Sequence, residues 1–88
     1  MKEFQSVFKN ELEEYLKISQ GTVNRDTLQN TRRVLLSFDS SLAEENANVI
    51  SESAVNRWIR KIRQINAAKT VSDKVSYLRK FLRYLQYK

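Results

Sequence analysis

The chain has one glycine and no proline in 88 residues, and this scarcity constrains the fold more than any other feature. Average usage would supply several of each. Tight hairpins need Asn-Gly, Asp-Gly or proline at their turns, whereas helix interiors exclude glycine and proline. Composition therefore predicts an all-helical fold. The length is enough for one domain and too short for two.

Apolar residues recur at spacings of three and four in four segments, which predicts four amphipathic helices. The expected ranges are about Glu3 to Ile18, about Asp26 to Leu42, Ser51 as N-cap to about Gln64, and about Lys69 to Gln86. The loops between these helices are short, including one over residues 43–49. A compact four-helix bundle is therefore expected.

Short polar residues and the single glycine mark the expected helix ends. Gly21 is predicted to end the first helix as a left-handed cap. Asn24 or Asp26 is predicted to cap the second helix, because short polar side chains accept bonds from the free N–H groups there. In the third helix, Trp58 is expected to anchor the core, and Ile65 is expected to face inward at the helix end.

Composition leaves little room for catalysis. The chain lacks histidine and cysteine, which excludes a histidine triad, a zinc site and a disulfide; no metal and no cofactor are expected. The glutamates early in the first helix are explained by the helix dipole. Packing is the favoured role for three tyrosines that lie on apolar stripes: Tyr15, Tyr77 and Tyr84.

Positive charge is concentrated in the second half of the chain. Residues 1–44 have a net charge of −1 and residues 45–88 a net charge of +7. Such asymmetry is typical of a polyanion-binding surface, although solvated helix faces kept charged for solubility would look the same. A membrane surface is a third option for the basic, amphipathic fourth helix. Its broad apolar face matches three other helices, so we expect that face to be buried and no membrane contact.

Two helices have an exposed face suited to DNA. A helix in the major groove needs small polar and basic side chains, so that the backbone can approach bases and phosphates. The alternative is that the threonines only cap their helices and that the serines are neutral surface. The residues with this layout are Thr27, Asn30 and Arg33 in the second helix and Lys69, Thr70, Ser72, Ser76 and Lys80 in the fourth.

The same layout in both helices resembles the core-binding domain of tyrosine recombinases and phage integrases. Residues 27–38 (TLQNTRRVLLSF) are similar to the second helix of that domain, and residues 69–85 (KTVSDKVSYLRKFLRYL) to its last helix. Residues 8–17 (FKNELEEYLK) resemble its opening helix, and residues 50–52 the lead-in to its third. The order and spacing of all four motifs make the resemblance fairly specific.

This resemblance implies an all-α, SAM-like orthogonal bundle over residues 1–88, a single non-catalytic DNA-binding domain that forms half of a clamp around duplex DNA. It implies that the second and fourth helices face the major groove. The residues expected to hold phosphates are Arg33, Lys69, Lys74, Lys80 and Arg83, and those nearest base edges are Asn30, Thr70, Ser72 and Ser76, with Thr27 beside them.

The family's catalytic residues belong to a separate C-terminal domain, so the chain is expected to be a fragment of a longer integrase. Lys88 would lie at the linker, and Tyr87 would not be the recombinase nucleophile. The expected partners are double-stranded DNA and other integrase protomers on DNA. The isolated domain is expected to be monomeric, and the protein cytoplasmic and bound to DNA.

Two other functions remain open. A helix-turn-helix regulator would bind DNA by itself, through one recognition helix and a dimer surface; its turn often contains glycine, and residues 64–68 have none. A helical adaptor for an acidic protein partner would instead expose an apolar groove.

Overall fold

A computed structural model of the chain describes residues 3–86. These residues form four α-helices and no strand. The helices are α1 (Lys9–Gln20), α2 (Arg25–Glu44), α3 (Glu52–Arg63) and α4 (Ala68–Gln86). Helices account for 75% of this region, and the all-helical prediction is confirmed.

The starts of α2 and α3 are set by the side-chain caps that the sequence indicates. The Asn24 side-chain oxygen accepts a hydrogen bond from the Thr27 N–H at 2.8 Å. The Ser51 hydroxyl accepts one from the Ala54 N–H at 3.1 Å. Each bond satisfies a donor that has no partner within its helix.

The prediction that the first helix begins near Glu3 is wrong, because α1 begins at Lys9. The preceding backbone packs against α2 instead. There the carboxylate of Asp39 accepts hydrogen bonds from the N–H groups of Gln5, at 2.7 Å, and Ser6, at 2.9 Å. The spacing of apolar residues does not predict a hydrogen bond to a carboxylate 34 positions away along the chain.

Two further local predictions are wrong in part or whole. Gly21 is the C-cap of α1, as predicted, but its φ of −89° is right-handed rather than left-handed; among residues 3–86 the positive φ belongs to Asn46, at 51°. Ile65 is 82% exposed rather than buried. Its N–H bonds to the carbonyl of Ile62 in a tight turn after α3, and this turn directs the side chain outward.

Helices α2 and α4 form the centre of the bundle, since each contacts the other and both remaining helices. Trp58 is 1% exposed and meets Phe38 edge to face, with ring centroids 5.7 Å apart. Its indole N–H donates to the Ser37 hydroxyl at 3.0 Å. The core role predicted for Trp58 is confirmed.

The apolar face of α4 is buried within the bundle, as expected. Val71, Leu78 and Phe81 are at most 7% exposed, so this face is not free for a membrane surface. No helix within the described part of the chain is long and apolar enough to span a bilayer.

Candidate nucleic-acid interface

The predicted contact residues of α2 and α4 meet along a groove between these helices, named here the α2–α4 groove. The two helices pack directly on each other, and their exposed flanks form the walls. Seven of the ten predicted site residues line it: Thr27, Asn30, Arg33, Thr70, Lys74, Ser76 and Lys80.

A second groove lies on the other side of α4, between α4 and the C-terminal part of α3, and is named the α3–α4 groove. Two further predicted residues, Ser72 and Arg83, line this groove. Ser76 and Lys80 line both grooves, so they lie on the exposed ridge of α4 between them. Lys69 is exposed in the first turn of α4 and lines neither groove.

Neither Thr27 nor Thr70 is the N-cap of its helix. Asn24 is the N-cap of α2, and Thr27 lies inside the helix, where its carbonyl accepts a bond from the Thr31 hydroxyl at 2.8 Å. Thr70 lies in the third position of α4. Thr27 is half-buried and Thr70 is exposed on the groove wall.

Most cations along α4 are not paired with carboxylates. Within residues 3–86, Lys9 pairs with Glu3, Arg57 with Glu45 and Lys61 with Glu44. None of these pairs includes a residue of α4. In the same region, the exposed cations of the two grooves have no carboxylate within 4.0 Å; these are Arg33, Arg63, Arg79, Lys80 and Arg83. They are therefore available to a polyanion.

Two features of the α2–α4 groove differ from a uniformly cationic surface. Asp73 lines it, and a carboxylate there repels phosphate. Lys74 is half-buried, and its ammonium donates to the side-chain oxygen of Asn66 at 3.3 Å. Lys74 thus also holds the turn before α4, since the Asn66 amide donates in turn to the Ile62 carbonyl at 2.9 Å.

Sequence reasoning missed Arg63, Asn66 and Arg79, which line the α3–α4 groove. Arg79 follows Ser76 by three positions and Ser72 by seven, a helical spacing that could have placed it on the same flank. Arg63 belongs to a basic run in α3, and only the packing of α3 beside α4 shows that it reaches this groove.

Tyr84 is a packing residue rather than a nucleophile. Its ring lies 5.2 Å from that of Tyr15 and 6.5 Å from that of Phe81. Its hydroxyl donates to the Glu14 carboxylate at 2.6 Å. This bond, with smaller contributions from burial and from the charges of Glu14 and Glu11, raises the pKa of Tyr84 to about 12. The reactive phenolate is therefore disfavoured.

The predictions for Tyr87 and Lys88 lie outside the described residues. Within residues 3–86, no group of three or more carboxylates is placed to hold a metal ion.

Comparison with known proteins identifies the domain family of the chain. The family model described as phage integrase, N-terminal SAM-like domain, matches residues 8–88. Neither the comparison with curated proteins nor that with solved structures found a match. The family match covers nearly the whole chain and all four helices of the bundle. The chain therefore belongs to the family of phage integrase N-terminal SAM-like domains.

Proposed function

We propose that this chain is a single core-binding domain that holds duplex DNA for a site-specific recombinase and performs no chemistry itself. Its surface would form one half of a clamp, with α2 and α4 facing the major groove. The observation that carries the proposal is the α2–α4 groove, where two helices far apart in sequence bring together small polar and cationic side chains.

The ridge of α4 supports this role. Ser72, Ser76 and Lys80 are exposed, and the short serine side chains let a helix backbone come near the floor of a DNA groove. From Lys69 to Arg83 the helix advances about 21 Å. Cations at both ends of this stretch would hold phosphates, and the polar residues between them would lie nearest base edges.

Duplex binding should be strongly salt-dependent, because cations that neutralise phosphates release condensed counterions. If about four cations contact phosphates, log affinity falls with log salt at a slope of about −4. The isolated domain holds one side of the duplex only, so we expect weak binding by a monomer, with a dissociation constant of about 10⁻⁴ to 10⁻⁶ M at physiological salt.

The test is an NMR titration of the 88-residue chain with a mixed-sequence duplex, combined with affinity measured across salt concentrations. The expected amide shifts lie on α2 and α4. Replacing Arg33 and Lys80 with Gln should make the salt slope shallower by about 2. Arg60→Gln is the control, because Arg60 is exposed on α3 and lines neither groove.

The other functions predict different outcomes. A helix-turn-helix regulator would bind a palindrome as a stable dimer, which sedimentation of the complex would detect. An adaptor for an acidic protein would show no shifts with DNA. A slope unchanged by the loss of Arg33 and Lys80 would refute the assignment of the α2–α4 groove.

A further inference from the structure

The α3–α4 groove is the more cationic of the two grooves beside α4. Its described lining contains Arg63, Arg79 and Arg83, together with Lys80 on the ridge, and no carboxylate. The α2–α4 groove, by contrast, contains Asp73. The three arginines are exposed, and none has a carboxylate within 4.0 Å among residues 3–86.

The position of Arg63 is fixed by its neighbours. Ile62, the preceding residue, is 4% exposed in the core, and its carbonyl accepts the Asn66 amide at 2.9 Å. Lys74 of α4 donates to the same Asn66 side chain at 3.3 Å. These two bonds tie the end of α3 to α4, so the backbone of Arg63 is held beside the ridge before any ligand arrives.

We infer that Arg63, Arg79 and Arg83 form a second phosphate-binding row, on the α3 side of α4. The first row lies on the α2 side, in the α2–α4 groove, and includes Arg33. The inference rests on the proposed function and extends its duplex-binding surface to the α3 side of α4. An α-helix with its side chains is about 10–12 Å across, and the major groove of B-DNA is about 12 Å wide. The ridge of α4 enters the groove, and each row meets the phosphates of one strand.

The test compares Arg63→Gln/Arg79→Gln with Arg60→Gln, an exposed arginine on the same helix as Arg63 that lines neither groove. Affinity for a mixed-sequence duplex is measured over a series of salt concentrations. Loss of two phosphate contacts should make the slope of log affinity against log salt shallower by about 1.8, and each contact is worth about eightfold in affinity at about 0.1 M salt. The control Arg60→Gln should make this slope shallower by less than half as much.

Single-stranded DNA of the same length provides the second measurement. Loss of two phosphate contacts on single-stranded DNA would make its slope shallower by about 1.4. One strand needs only one row, so removal of the α3-side row should change the single-strand slope by less than half of that amount. A change of about 1.4 on the single strand would overturn the two-strand arrangement. All three arginines are exposed, so Gln at these positions should leave the fold intact, which the amide spectrum verifies.

The outcomes separate this inference from the proposal on which it rests. If Arg33→Gln/Lys80→Gln weakens duplex binding while Arg63→Gln/Arg79→Gln behaves like Arg60→Gln, the second row is refuted and the α2–α4 groove stands. If neither pair differs from the control, both assignments fail.

Discussion

The backbone before α1 should depend on one buried carboxylate. Asp39 is 1% exposed, and its two oxygens accept from the N–H groups of Gln5 and Ser6 at 2.7 and 2.9 Å. In Asp39→Asn one oxygen becomes an NH₂ group that faces a backbone donor. That change removes one charge-assisted hydrogen bond and leaves an N–H without a partner, while the other bond loses its charge. Each charge-assisted bond is worth about 1.5–3 kcal/mol.

We therefore expect Asp39→Asn to lower the free energy of unfolding by about 2–4 kcal/mol. An 88-residue domain has a total stability of about 4–13 kcal/mol, so this loss is a large fraction of it. Urea denaturation monitored by circular dichroism measures the loss of stability as a lower urea concentration at the midpoint of unfolding. Hydrogen exchange locates it, because the amide protons of Gln5 and Ser6 should lose their protection in the variant.

Asp73→Asn is the matched control for stability, since Asp73 is exposed and its side chain has no hydrogen-bond or ion-pair partner within residues 3–86. Its effect should stay within about 0.5 kcal/mol. If the two variants unfold at the same midpoint and the Ser6 amide stays protected in Asp39→Asn, the carboxylate does not hold this segment and the reasoning is refuted.

Three further outcomes follow from single contacts. Ser51→Ala removes the N-cap of α3 and should cost about 1 kcal/mol in urea denaturation, whereas Ser53→Ala at an exposed helical position should cost nothing. Absorbance titration should place the Tyr84 phenol at a pKa of about 12 rather than 10.0, and Glu14→Gln should lower that pKa. Because the pKa is higher in the folded state, the contribution of this hydrogen bond to folding stability is complete below pH 10.0 and is lost as the pH rises through about 12. Asp73→Asn removes a carboxylate from the α2–α4 groove and should tighten duplex binding about two- to fivefold, which Asp26→Asn outside the groove should not do.

Helix identity and register could be predicted because both are local. Apolar residues at spacings of three and four indicate which face of a helix is buried. A short polar residue just before them indicates where the helix begins. For this reason Asn24 and Ser51 mark α2 and α3 correctly. Three predictions at helix ends failed: the start of α1, the left-handed conformation of Gly21 and the inward orientation of Ile65. The start of α1 depends on contacts with the distant Asp39, and the other two residues lie in exposed turns whose backbone angles residue type alone does not fix.

The amino-acid sequence alone determined the helical class, the core role of Trp58 and the polar, cationic outer flanks of α2 and α4. Only the tertiary structure decided that Asp39 would hold the backbone before α1 and that Arg63 would lie beside α4. Periodicity establishes which residues share a face of one helix. It does not establish which other helix that face packs against, because this packing depends on the simultaneous burial of apolar faces from all four helices.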